Sequence, residues 1–154
     1  MVFDINHVYN LDVNIGSVDI KFLNGFDAPD DEKVLLGSWA RAESYAKNII
    51  EGANHWVTGW LDWNLALDTT GGPNWAGNRV DAPVIVNATA DEFYKQPMFY
   101  ALGHFSKFVP AGSVHVTSRV VKDGDDDEGD DEGDLHTAAF TRADGGNVLI
   151  LLNT

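Results

Sequence analysis

"VTGWLDWNLAL", residues 57–67, decides how the rest of the chain is read. Apart from Asp62 and Asn64 near its end it is apolar at successive positions, the pattern of a strand buried on both faces. Such strands belong to parallel sheets, because crossover helices cover both sides of the sheet. Upstream, Trp39, Ala42, Ala46, Ile49, Ala53 and Trp56 recur at steps of three and four, which predicts a helix over 38–56. Ser38 can cap its first turn, and Glu43 and Lys47 stand one turn apart in the favourable order. Gly52 costs this helix about 1 kcal/mol relative to alanine. Downstream, 68–96 reads as a long loop, and loops of that length in compact domains are usually functional. A second helix starts at Pro97, with Met98, Leu102, Phe105 and Phe108 on its apolar side and Pro110 and Gly112 as stops. Helix, buried strand, long loop and helix in succession is the rhythm of an α/β barrel.

The two flanks differ from this middle. Residues 1–33 alternate loosely at Val13, Ile15, Val18, Ile20 and Phe22 and end in "DAPDDEK", which suggests one or two strands and a polar link without a motif. After Ser113 the chain turns to β character with "VHVTSRVV", "LHTAAFT" and "NVLILLN", the last two joined by a hairpin turn at Asp144-Gly145-Gly146. The expected organisation is therefore 1–33, an α/β part over 34–112, and a β part over 113–154 that carries an acidic loop at 122–134.

Composition narrows the function. The net charge of −14 argues against a nucleic-acid partner. Nine of the 24 acidic residues lie between Asp123 and Asp134, so the remaining 15 face 10 lysines and arginines and the body is only mildly acidic. No apolar run reaches the eighteen or so residues of a membrane span. "MVFDINHVYNLDVN" has no basic leader region and does not read as a signal peptide. There are no cysteines, hence no disulfides or thiolate metal sites. Asp123, Asp125 and Asp127 match the opening of a calcium-binding EF-hand loop. Glu128 stands where that loop needs glycine, and no helices flank it, so a solvated loop kept extended by like charges is the better reading. His7, His55, His104, His115 and His136 form no metal-ligand spacing, and no cofactor motif is present. Neither a metal nor a cofactor is expected. Asn87-Ala88-Thr89 makes Asn87 a glycosylation candidate.

The chemistry-bearing stretch is "GWLDWNLALDTTGGPNW", residues 59–75. Sugar rings present apolar C–H faces that pack on aromatic planes, while carboxylates and amides bond the hydroxyls. Asp62, Trp63, Asn64, Trp75 and Asn78 supply both kinds of group. The same residues also suit a buried strand end, with tryptophans in the core and Asp62 and Asn64 holding backbone. The pattern leaves both open. Glycoside hydrolysis needs two carboxylates flanking the scissile bond, and no such pair stands out among Asp62, Asp68, Asp81 and Asp91.

"DWNLAL", "GGPNW" and "FYKQPMFYALGHFSKF" together are far more specific. Across about residues 34–117 the chain closely resembles the lysosomal acid β-glucosidases, the glucosylceramidases of glycoside hydrolase family 30. The resemblance implies retaining hydrolysis of glucosylceramide in a (β/α)8 TIM barrel that carries a β-sandwich. It implies that 38–56 is the seventh barrel helix, 57–67 the eighth strand and 97–109 the eighth helix, followed by incomplete sandwich strands. It implies Trp63 as a wall of the glucose pocket, Asn78 as a sugar contact, and Asp62 as a pocket carboxylate that is neither nucleophile nor acid/base. It also implies the lysosome as location, and a lysosomal membrane surface or an activator protein as partner. The family's nucleophile glutamate precedes the "LGSW" helix and its acid/base lies on the fourth strand. Residues 1–33 contain no Thr-Glu-Ala-like motif, so a C-terminal fragment without either glutamate, inactive alone, is expected. The alternative is a non-catalytic sugar- or lipid-binding module.

Overall fold

The computed structural model describes residues 25, 28–75, 77–121 and 135–154. The alternating positions 13–22 and the acidic run 123–134 lie outside the described residues. After a short 3-10 turn at Asp30–Glu32, helix α1 spans Trp39–Asn54. Strand β1 (Ala66–Asp68) follows, then β2 (Val84–Asn87), β3 (Glu92–Lys95) and helix α2 (Pro97–Phe108). The last elements are β4 (Val114–Val116), β5 (Leu135–Thr141) and β6 (Asn147–Asn153).

Helix α1 begins as its sequence predicts, with the Ser38 hydroxyl accepting from the Arg41 N–H at 3.4 Å. It ends where Trp56 adopts a left-handed φ of 69°. The buried face is rotated from the expected stripe. Arg41, Ala42, Tyr45, Ile49 and Ile50 are buried, whereas Trp39 and Trp56 are 67% and 83% exposed. Arg41 and Tyr45, outside that apolar stripe, are buried because Asp81 and Asp62 give their polar atoms partners. The Glu43–Lys47 pair does not form; Glu43 accepts from the Trp39 indole N–H at 2.7 Å, and Lys47 turns to Glu51 at 4.0 Å. Helix α2 starts at Pro97 and buries Met98 and Phe105, while Phe108 stays exposed.

The decisive stretch departs most from expectation. Only Ala66–Asp68 is strand, and it pairs in parallel with β2 in the register Leu67↔Ile85. Upstream, Leu61, Trp63 and Leu65 are exposed while Trp60, Asp62 and Asn64 are half-buried, so this segment has one buried face rather than two. A strand needs ladder partners for its backbone groups, and β2 is the only partner that β1 has among the described residues. The long loop is also more ordered than expected, because 84–95 folds into the antiparallel β2–β3 hairpin. The resulting sheet has the order β1-β2-β3.

The second sheet has the order β4-β5-β6 and is antiparallel throughout. Its β5–β6 turn is the expected one: Gly145 takes φ 82° and Asp144 accepts from the Gly146 N–H at 3.0 Å. Ile49 and Ile50 of α1, Phe105 and Val109 at the end of α2, and Ala138 and Phe140 of β5 form one core. The α/β and β regimes that meet near residue 112 therefore share their interior. A smaller core of Leu67, Val80, Ala82 and Ile85 holds the first sheet.

Gly71 fixes the turn after β1. It has φ 81°, and an added Cβ would stand 2.5 Å from the Val80 carbonyl oxygen. Gly71→Ala is expected to lower stability by about 2 kcal/mol, from a left-handed backbone plus a backbone clash. Urea denaturation followed by circular dichroism measures this.

Candidate functional site

The three tryptophans of 59–75 separate into two kinds. Trp60 is structural: it packs on Tyr45 at 5.1 Å between ring centroids, and its indole N–H donates to Asn48 at 2.6 Å. Trp63 and Trp75 are 61% and 96% exposed, so neither belongs to a core. The Trp63 backbone is pinned even though its ring is free, because its N–H donates to Asp62 Oδ1 at 2.8 Å. The same oxygen accepts from the Tyr45 hydroxyl at 3.1 Å, which ties the strand approach to α1. The result is an aromatic plane facing outward from a fixed backbone, beside a half-buried carboxylate.

Asp62 Oδ2 is buried with no hydrogen-bond partner among the described residues, and Asn64 Nδ2 is in the same condition. With no second donor to offset desolvation, burial pushes the Asp62 carboxyl up to about 6, against the pull of the Trp63 N–H and the Tyr45 hydroxyl. The Tyr45 phenol is raised as well, first by burial and then by the Asp62 charge. A carboxyl whose folded pKa lies above its unfolded value stabilises the fold below the unfolded value and loses that contribution as pH rises through about 6. The chain should therefore gain about 2 kcal/mol from Asp62 between pH 7 and pH 4. Asp62→Asn, which keeps the accepting oxygen, should abolish that gain in pH-dependent urea titrations. Asp68 acts in the opposite sense: the Thr70 hydroxyl and the Gly72 N–H hold its carboxyl below the usual range, so its contribution is lost in acid.

Each aspartate near the site thus has a structural task. Asp68 Oδ1 organises the Asp68–Gly72 turn, accepting from the Thr70 N–H and hydroxyl at 2.7 Å each and from the Gly72 N–H at 3.0 Å. Asp81 is an ion-pair partner that sequence periodicity did not reveal. It pairs with Arg41 and accepts from the Gln96 amide at 2.6 Å and from the Ala82 and Leu35 N–H groups at 2.9 and 3.2 Å. Arg41 in turn donates to the carbonyls of Glu32 and Lys33, and Gln96 Oε1 accepts from the Gly37 N–H at 2.8 Å. This buried network fastens residues 32–37, α1, the segment before β2 and the start of α2 to one another. The only available signal was polar residues flanking apolar segments, which is too common to single them out.

Asn78 is exposed on the segment leading to Val80, and no hydrogen bond joins it to Asp62 or Trp63 among the described residues. Asp62 and Trp63 are joined by the Trp63 N–H to Asp62 Oδ1 hydrogen bond. Asn87 is half-buried at the end of β2, where its amide donates to the Tyr94 hydroxyl at 3.1 Å and its Oδ1 accepts from the Ala90 N–H at 3.3 Å. The rings of His55 and His104 each meet a backbone carbonyl one turn back, at 2.7 Å. Among the described residues no group of histidines and carboxylates has metal-ligand geometry, and no helix is long and apolar enough to cross a membrane.

Trp63 is thus an outward tryptophan held beside a half-buried carboxylate, ahead of a glycine-rich turn. The glycosyl hydrolase family 30 TIM-barrel domain matches residues 19–109, and the chain belongs to this family. The match begins ahead of the motif-bearing stretch that starts near Val34. Among its relatives, a Caenorhabditis elegans protein named as glucosylceramidase 3 is 69% identical over 86 residues, which is 56% of this chain. The lysosomal acid glucosylceramidase of Mus musculus is 49% identical over 123 residues, or 80% of this chain. The chain spans 16% of the worm protein and 22% of the mouse protein. The crystal structure of SrfJ from Salmonella typhimurium superposes with a TM-score of 0.64 at 28% identity, covering 75% of this chain and 24% of that one.

Proposed function

We propose that this chain is the C-terminal part of a glucosylceramidase-type retaining β-glucosidase, which hydrolyses glucosylceramide to glucose and ceramide. The observation that carries the reading is Trp63, 61% exposed on a backbone fixed by Asp62, inside a stretch shared with glucosylceramidase relatives. In this reading Trp63 is a wall of the glucose pocket, Asn78 bonds a sugar hydroxyl, and Asp62 positions the tryptophan. The segment 34–112 contributes the last helix–strand–helix units of a TIM barrel, and 113–154 contributes part of a β-sandwich. The parent enzyme acts in the lysosome, at a membrane surface or with an activator protein.

The catalytic carboxylates come from outside the residues described. Asp62, Asp68 and Asp81 are each committed to hydrogen bonds that hold the fold. Without a nucleophile there is no covalent glycosyl intermediate, and without an acid the leaving oxygen goes unprotonated. Grafting residues 34–112 in place of the matching stretch of the mouse enzyme tests the assignment. A graft that folds and hydrolyses glucosylceramide supports it, and a folded but inactive graft contradicts it. The second reading, a sugar- or lipid-binding module, is favoured by the exposure of Trp75 as well as Trp63. Calorimetric binding of glucose or glucosylceramide micelles to this chain, lost in Trp63→Ala, would select the module.

A further inference from the structure

Helix α1 grips residues 60–63 at two points. The Asn48 side-chain oxygen accepts from the Trp60 indole N–H at 2.6 Å, and the Tyr45 hydroxyl donates to Asp62 Oδ1 at 3.1 Å. Tyr45 and Asn48 are three residues apart, which makes them neighbours on the helix surface. Along the gripped segment the half-buried Trp60 and Asp62 alternate with the exposed Leu61 and Trp63. Successive side chains of extended backbone point to opposite sides, so a hold on the inner pair also sets the direction of the outer pair.

Tyr45 is the rigid end of this grip. It is 1% exposed, its ring packs on Trp60, and it shares a core with Met98 at the start of α2. That packing uses the ring alone, and phenylalanine would fill the same space. A buried hydroxyl is costly unless it is bonded, and here the bond goes to Asp62. Burial raises the Tyr45 phenol, so it stays protonated and remains the donor. The oxygen that accepts from it, Asp62 Oδ1, also accepts from the Trp63 N–H at 2.8 Å. One carboxylate oxygen thus joins a side chain fixed in the interior to the backbone of the exposed tryptophan. Without the hydroxyl, Asp62 is free to turn about its side-chain torsions, and the Trp63 N–H loses a fixed acceptor.

We propose that Tyr45 is a positioning residue for sugar binding, which acts through Asp62 to fix the direction in which Trp63 meets the sugar. The proposal rests on the reading of Trp63 as a wall of the glucose pocket. Its test compares Tyr45→Phe, Trp63→Ala and the double variant in the mouse enzyme carrying residues 34–112 of this chain. Tyr45→Phe should raise KM for glucosylceramide about fivefold and leave kcat nearly unchanged, because the contact it aims is made in ground state and transition state alike. In the Trp63→Ala background the same substitution should not move KM, since the ring it aims is gone. Amide hydrogen exchange at Trp63, followed without substrate, should quicken about tenfold in Tyr45→Phe. A hydroxyl that serves the fold alone would lower the melting temperature and act alike in both backgrounds. That result would overturn the proposal, as would an unchanged KM in Tyr45→Phe or unchanged exchange at Trp63. An unchanged KM in Trp63→Ala alone would instead overturn the glucose-wall reading, and exchange at Trp63 would then still show whether Tyr45 fixes that backbone.

Discussion

Asp81→Ala should unfold much of the chain at 25 °C. Asp81 is 2% exposed and pairs with Arg41, itself 7% exposed, so the substitution strands a buried guanidinium. It also removes the acceptor for the Gln96 amide and for the Leu35 and Ala82 N–H groups. Breaking a buried pair by deleting one partner costs about 3–5 kcal/mol, a large part of the stability of an ordinary domain. The loss should be cooperative across the first sheet and the start of α2, because the network ties both to α1. Replacing the pair together, Arg41→Met with Asp81→Leu, should recover much of the loss, since no buried charge remains. Urea denaturation of the single and double variants, followed by far-ultraviolet circular dichroism, checks both outcomes.

Trp63→Ala should have the largest effect on function, measured in the graft into the mouse enzyme. A tryptophan plane packed against a sugar face contributes about 2 kcal/mol, so kcat/KM should fall roughly thirty-fold. Most of the loss should appear in KM, because the contact is made in the bound ground state as well as in the transition state. Trp63→Phe should retain most of the activity. The melting temperature should hardly move in either variant, since the ring is exposed and its backbone anchor to Asp62 remains.

The parts of the fold that were legible in the sequence are those set by local chemistry. Ser38 and Pro97 marked the helix starts, and Asp144-Gly145-Gly146 marked the hairpin, because caps and turns depend on a few neighbouring residues. The extent of β1 was not legible. An apolar run implies burial only if neighbouring strands are there to provide it, and upstream of Ala66 the chain has one buried face. The apolar stripe of α1 leaves out Arg41 and Tyr45, whose burial depends on Asp81 and Asp62, 40 and 17 residues away. The β2–β3 hairpin was hidden by the polar Asn87–Glu92 turn and by strands of only four residues each. At the candidate site the sequence pattern left the tryptophans open as core or as sugar-facing groups, and the structure separates the packed Trp60 from the exposed Trp63 and Trp75.

In the proposed function this chain supplies a sugar-binding wall, and the catalytic carboxylates lie outside it. The direct measurement is turnover of a fluorogenic β-glucoside by the purified 154-residue chain at acidic pH. Release of fluorophore no faster than in buffer is expected. Turnover that disappears when a single glutamate of this chain is replaced by glutamine would contradict it.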